Sequence, residues 1–95
     1  GNHVLEVLEG PHLGARFTIK KLPLTIGRGS QSSIRLGKDS KISRKHAELY
    51  SKHGKLSIRD LDSTRGTTVN GYDIESRTLS KGDRIRLGTS LLAVR

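Results

Sequence analysis

Apolar and polar positions alternate along this chain in short runs, each closed by turn residues. Within residues 3–8, Val4, Leu5, Val7 and Leu8 give enough alternation for a strand. Phe17 and Ile19 share one face of a second run, residues 16–20. Residues 22–26 form a shorter run in which Pro23 marks an edge or an opening strand position. Further strands are predicted at 34–36, 47–50, 56–59, 67–69, 84–87 and 90–94. His53-Gly54 reads as one hairpin turn and Asn70-Gly71 as a second, because Asn and Gly both tolerate positive φ. No stretch shows a capped apolar 3.6-residue period, so no helix is predicted. Short strands with turn signals about every eight to twelve residues describe an all-β sandwich.

The length of 95 residues suits one domain over 1–95, with no linker, repeat or low-complexity tract. A folded chain of this size buries roughly 60–70% of its unfolded surface, enough for one core without covalent staples. With 0 cysteines there is no disulfide framework and no Cys-ligated zinc, which fits a reducing, intracellular setting. No apolar run approaches the ~20 residues of a membrane span, so no membrane partner is expected. The charge changes the picture more: 18 Lys and Arg against 9 Asp and Glu leave a net charge of +9. Such an excess serves solubility, or it draws a polyanion such as a phosphorylated protein, a nucleic acid or an anionic membrane. Phe17, Tyr50 and Tyr72 are the only aromatics, too few for readout of single strands by base stacking.

Chemistry concentrates between the strands. Gly27-Arg28-Gly29-Ser30, Ser43-Arg44-Lys45-His46 and Asp62-Ser63-Thr64-Arg65-Gly66-Thr67 place glycines, hydroxyls and arginines in short loops. That composition can hold a phosphate through guanidinium forks, hydroxyl donors and accessible backbone N–H groups. A dinucleotide fingerprint is a poor alternative, since Ser32 stands where its third glycine belongs and no helix follows. Ser43, His46 and Asp60 or Asp62 suggest a hydrolytic triad, but strand alternation would send Ser43 and His46 to opposite sides. A nucleophile elbow is also lacking. His3, His12, His46 and His53 lack metal-ligand spacing and read as surface or structural residues, so neither metal nor cofactor is expected.

Taken together, Gly27-Arg28, Ser43-Arg44-Lys45-His46, Asp60 through Thr67, and Val69-Asn70-Gly71 resemble the hallmarks of a forkhead-associated (FHA) domain. The resemblance covers a core of about residues 4–94. It implies a β-sandwich of about eleven short strands in two twisted sheets, with the binding loops at one end. It implies a non-enzymatic module binding a threonine-phosphorylated protein or peptide, in nuclear or kinase-linked signalling with the nucleus favoured.

In that family pattern Arg28, Ser43 and Thr64 engage the phosphate, Arg44 lies beside them and Arg65 assists. Lys41 and Ser30 are candidate specificity residues, and Gly27, His46, Asn70 and Gly71 are structural. Arg65 departs from the usual Asn, which both donates and accepts; Arg only donates. Thr68 departs from a larger apolar residue. The basic loops carrying Lys38, Lys41 and Arg65 favour an acidic residue about three positions after the phosphothreonine. Two rivals remain: a basic nucleic-acid-binding β-domain, and an FHA-like scaffold with a degenerate phosphate pocket. On the phosphopeptide reading, nucleic acid is expected to bind only weakly if at all.

Overall fold

The computed structural model describes residues 2–95; Gly1, the first residue of the expected domain, lies outside the described residues. Eleven strands follow one another: β1 (His3–Glu9), β2 (Arg16–Ile19), β3 (Leu24–Gly27), β4 (Ile34–Arg35), β5 (Ala47–Lys52), β6 (Lys55–Asp60), β7 (Thr67–Val69), β8 (Tyr72–Ile74), β9 (Ser76–Thr78), β10 (Arg84–Leu87) and β11 (Ser90–Val94). One sheet is ordered β2-β1-β11-β10-β7-β8 and the other β4-β3-β5-β6-β9. The pairs are antiparallel apart from β3 with β4, which run parallel. The all-β, two-sheet expectation is met.

The alternation seen in the sequence produces the core. Leu5 and Val7 of β1 face inward beside Val94 and Leu92 of β11, and Ile85 of β10 sits between Leu92 and Val69. From the second sheet come Ile26, Leu49 and Ile58, all fully buried. Burying each such side chain contributes about 1.5–3 kcal/mol before entropy is set against it. The core is aliphatic throughout, and Phe17 is only half-buried at its rim.

Two strands escaped the pattern. β9 is exposed at all three positions and β8 at two of three, so neither carries a buried face to read. Backbone pairing recruits them instead: β9 extends β6 through Ser57–Thr78, Ile58–Arg77 and Arg59–Ser76, and β8 pairs with β7. Pro23 takes the second of its two expected places, immediately before β3, where its missing N–H costs no ladder bond. The third residue expected in the 34–36 strand, Leu36, lies just past β4, though its N–H still donates to the Gly27 carbonyl of β3 at 2.8 Å.

Both predicted hairpins form with positive φ at each central residue: 52° and 76° at His53-Gly54, 53° and 85° at Asn70-Gly71. Asn70 does more than turn. Its Oδ1 accepts from the Arg84 N–H at 2.9 Å and its Nδ2 donates to Asp83 at 3.0 Å, joining the β7–β8 hairpin to the start of β10.

Asp39 fastens the long loop 36–46 to the turn between β10 and β11. The side chain is 1% exposed. Its Oδ2 accepts from the Thr89 N–H at 3.0 Å, the Thr89 hydroxyl at 2.9 Å and the Ser90 hydroxyl at 2.7 Å. Its Oδ1 accepts from the Lys41 N–H at 3.1 Å. Gly88 completes the contact, because a Cβ there would lie 2.8 Å from Ile42 and 3.0 Å from Asp39, at a φ of +58°. Burial disfavours the Asp39 charge, but the donors from Ser90, Lys41 and Thr89 outweigh it and hold the carboxyl below its ordinary value.

A carboxylate with a depressed folded pKa stabilises the fold above its unfolded pKa of about 3.9, and that contribution is lost as pH falls through the folded value. Asp39→Ala is therefore expected to cost about 1–3 kcal/mol at neutral pH, since it strands several donors. The loss of stability on acidification below about pH 4 should also become shallower in this variant. Urea unfolding between neutral and acid pH checks both; an unchanged midpoint at neutral pH would contradict the role given to Asp39.

Candidate functional site

Loops 28–33, 36–46 and 61–66 meet at one end of the sandwich, with the turns 10–15 and 88–89 behind them. The contact behind is direct, as the Lys38 N–H donates to His12 Nε2 at 3.0 Å. Loop 28–33 is laid against loop 36–46 by backbone bonds: Arg28 N–H to the Ser43 carbonyl at 3.0 Å and Gly29 N–H to the Arg44 carbonyl at 3.1 Å. The chains are so close here that a Cβ on Gly27 would overlap the Arg44 carbonyl. That gives Gly27 a physical reason independent of φ.

Arg28, Ser40, Lys41, Ile42, Ser43, Thr64 and Arg65 line a recess of about 270 Å³. Arg28 donates from Nε to the Ile42 carbonyl at 3.0 Å. That bond anchors the guanidinium by one edge while its two terminal nitrogens make no protein hydrogen bond among the described residues. Ser43 Oγ accepts the Thr64 N–H at 3.0 Å and lies 3.5 Å from Thr64 Oγ1. A guanidinium anchored by one edge and two adjoining hydroxyls, with Lys41 and Arg65 at the rim and no carboxylate in the lining, have the chemistry that suits a small anion.

His46 holds the two hydroxyl-bearing loops together from beneath. Its ring is fully buried. Nδ1 accepts the Ser43 N–H at 3.0 Å, so the ring proton resides on Nε2, which donates to the Gly66 carbonyl at 2.8 Å. Asp60 organises the second loop: Ser63 Oγ and Thr67 Oγ1 donate to its Oδ1 at 2.6 and 2.7 Å, and the Ser63 N–H to its Oδ2 at 3.0 Å. Burial opposes the Asp60 charge, yet these donors prevail and keep its carboxyl below the ordinary range.

Strand alternation mispredicts the relation of Ser43 to His46. Residues 43–46 bend before β5 begins, so the imidazole folds back under the Ser43 backbone and does not project away from it. Alternation applies to extended chain, and this segment is not extended. The Ser43 hydroxyl is nonetheless directed to Thr64 and not to the imidazole, which leaves no base beside it.

Of the expected site residues, Arg28, Ser43, Thr64, Arg65 and Lys41 share the recess. Arg44 and Ser30 line a neighbouring recess with Arg28. Gly27, His46, Asn70 and Gly71 lie in the framework described above. Sequence reasoning missed Ser40 and Ile42 in the lining and Asp39 and Asp60 as supports. Asp60 had a signal, a carboxylate three residues before Ser63, which is the spacing of a side-chain-closed turn. Asp39 had only the local signal of a turn closed on the Lys41 N–H; its Thr89 and Ser90 partners lie 50 and 51 residues away.

The family model for the FHA domain matches residues 24–88. The oxoglutarate dehydrogenase inhibitor of Corynebacterium diphtheriae is 39% identical over 88 residues, which are 93% of this chain and 61% of that protein. The glycogen accumulation regulator GarA of Mycolicibacterium smegmatis is 35% identical over 88 residues, 93% of this chain and 55% of its own length. The chain thus spans little more than half the length of these curated relatives. Their names describe an inhibitor and a regulator, and both come from bacteria, which have no nucleus; the expected nuclear setting finds no support in them. A solved structure from a study of phosphothreonine-dependent FHA domain interactions superposes with a TM-score of 0.90 at 35% identity, covering 100% of this chain and 96% of that one.

Because His46 satisfies one donor and one acceptor in loops it joins, His46→Ala is expected to destabilise the chain by about 1–3 kcal/mol. Chemical denaturation reads the change. A stability equal to that of the parent would show that the imidazole does not brace these loops.

Proposed function

The chain belongs to the FHA-domain family, and from that premise we propose that residues 1–95 act as one phosphothreonine-dependent interaction module with a core of about residues 4–94. The observation that supports this most is the recess in which the anchored Arg28 guanidinium adjoins the Ser43 and Thr64 hydroxyls. Arg28 pairs with the phosphate, Ser43 and Thr64 donate hydroxyls to it, and Arg65 adds charge at the rim. Charge-assisted bonds of this kind are worth about 1.5–3 kcal/mol each before desolvation. A few of them, less association costs, give micromolar or sub-micromolar affinity. The module binds and does not catalyse, and a threonine kinase must supply its ligand.

Family membership supports a preference for phosphothreonine over phosphoserine; Ile42 borders the recess through its backbone carbonyl, its side chain being buried in the core at 1% exposure. Lys41 and Arg65, exposed at the same recess, favour an acidic residue about three positions after the phosphothreonine. That preference is several-fold at most, because exposed ion pairs contribute roughly 0.2–1 kcal/mol.

Arg28→Ala is expected to abolish binding of a phosphothreonine peptide in calorimetry while circular dichroism stays that of the folded chain. Undiminished affinity in the folded variant would remove Arg28 from the site. The matched phosphoserine peptide should bind roughly tenfold or more weakly, the worth of one methyl in an apolar contact. Equal affinities would contradict a site that reads the methyl group. Raising salt should weaken an oligonucleotide far more than the phosphopeptide; the reverse would favour the nucleic-acid reading.

A further inference from the structure

The positive charge of this chain is not spent on internal ion pairs alone. Glu6 pairs with Arg16 and Arg95, Glu9 with Arg86, and Glu48 with Arg59. Asp39 and Asp60 are turned to hydroxyls and backbone N–H groups. Of the cations left without an ion pair among the described residues, Arg28, Arg35, Lys38, Lys41, Arg44, Lys45 and Arg65 lie at the loop end, and part of that group lies outside the phosphate recess.

A second recess of about 370 Å³ adjoins the first and shares only Arg28 with it. Arg35, Arg44 and Lys45 line it together with Arg28, and Ser30 and Gln31 add a hydroxyl and an amide. No acidic side chain contributes to its lining, and none of these four cations belongs to an ion pair among the described residues. Two of the cations are held in place: Arg28 by the Ile42 carbonyl at 3.0 Å, and Arg35, which donates from Nε to the Arg28 carbonyl at 3.4 Å. The floor is fixed too, since the Ser32 hydroxyl donates to the Arg44 carbonyl at 3.1 Å. Four cations converging without a counter-charge repel one another, and a bound anion removes that repulsion.

We propose that this second recess receives a second anionic group of the same ligand segment, so that the chain prefers segments carrying two anions, one on each side of Arg28. The proposal rests on the phosphothreonine reading for the first recess. The shared chemistry is an oxyanion, supplied either by a second phosphorylated residue or by a cluster of carboxylates. An extended peptide advances about 3.3 Å per residue, so the spacing at which a second anion tightens binding reads out the separation of the recesses.

Calorimetry with a series of peptides tests this. One carries a single phosphothreonine; in others a second phosphothreonine or a Glu-Glu pair is placed at each spacing on either side. At one spacing the second anion should tighten binding about tenfold, the equivalent of roughly 1.4 kcal/mol. Lys45→Ala breaks no hydrogen bond in the structure and should erase that gain while leaving the singly phosphorylated peptide unaffected; Arg35→Ala should do the same. Gain from the second phosphate alone, or from the carboxylates as well, identifies the source. Absence of gain at every spacing, or a gain that survives both substitutions, overturns the proposal.

Inorganic phosphate followed by NMR separates this idea from the reading it rests on. If the single phosphothreonine peptide fails to bind, that reading falls. Phosphate shifts at Arg35 and Lys45 that Lys45→Ala removes would still support an anion site here, and their absence would overturn it.

Discussion

The placement of the buried His46 ring is the constraint on which the loop end depends. An imidazole in an aliphatic core is costly unless both nitrogens are satisfied, and here one accepts from Ser43 while the other donates to Gly66. Those partners belong to different loops, so one ring fixes the distance between them. The Ser43 hydroxyl then meets the Thr64 N–H, and the recess acquires its two hydroxyls from segments twenty-one residues apart. Asp39 and Asp60 act in the same way one layer out, each gathering donors from turns that would otherwise be free to move. The supports of the site are saturated with hydrogen bonds, His46 and Asp39 buried and Asp60 half-buried, while its own side chains stay half-buried or exposed.

The electrostatics follow from where the acids went. Three glutamates pair with arginines on the sheet faces, pairs worth little individually at an exposed surface. Asp39, buried, and Asp60, half-buried, are consumed by neutral donors and so do nothing to cancel nearby cations at contact range. Arg28, Lys41, Arg44, Lys45 and Arg65 are left facing solvent around two adjoining recesses. A field of that sign favours anions of every kind; in the proposed reading, directed bonds from Ser43 and Thr64 discriminate among them.

Much of this was legible in the chain. Strands with one buried face announced themselves by alternation, and the two hairpins by His53-Gly54 and Asn70-Gly71. The loops bearing Arg28, Ser43 and Thr64 stood out by residue type. What stayed hidden was whatever depends on distant backbone. Ser76-Arg77-Thr78 becomes a strand only because β6 offers it an unpaired edge. The bend at 43–46 exists because His46 is drawn into the core, which a local alternation rule cannot register. Asp39 looked like a loop residue until the turn at Thr89 and Ser90 closed over it.

The most direct test of the central claim is an NMR titration of the labelled chain with a phosphothreonine peptide and with its unphosphorylated twin. The account predicts saturable shifts at the Ser43 and Thr64 amides and at the Arg28 Nε–H, with the phosphorylated peptide alone. Equal responses to both peptides, or shifts confined to the groove lined by Phe17, Lys20 and Leu24 between the far edges of the two sheets, would contradict it.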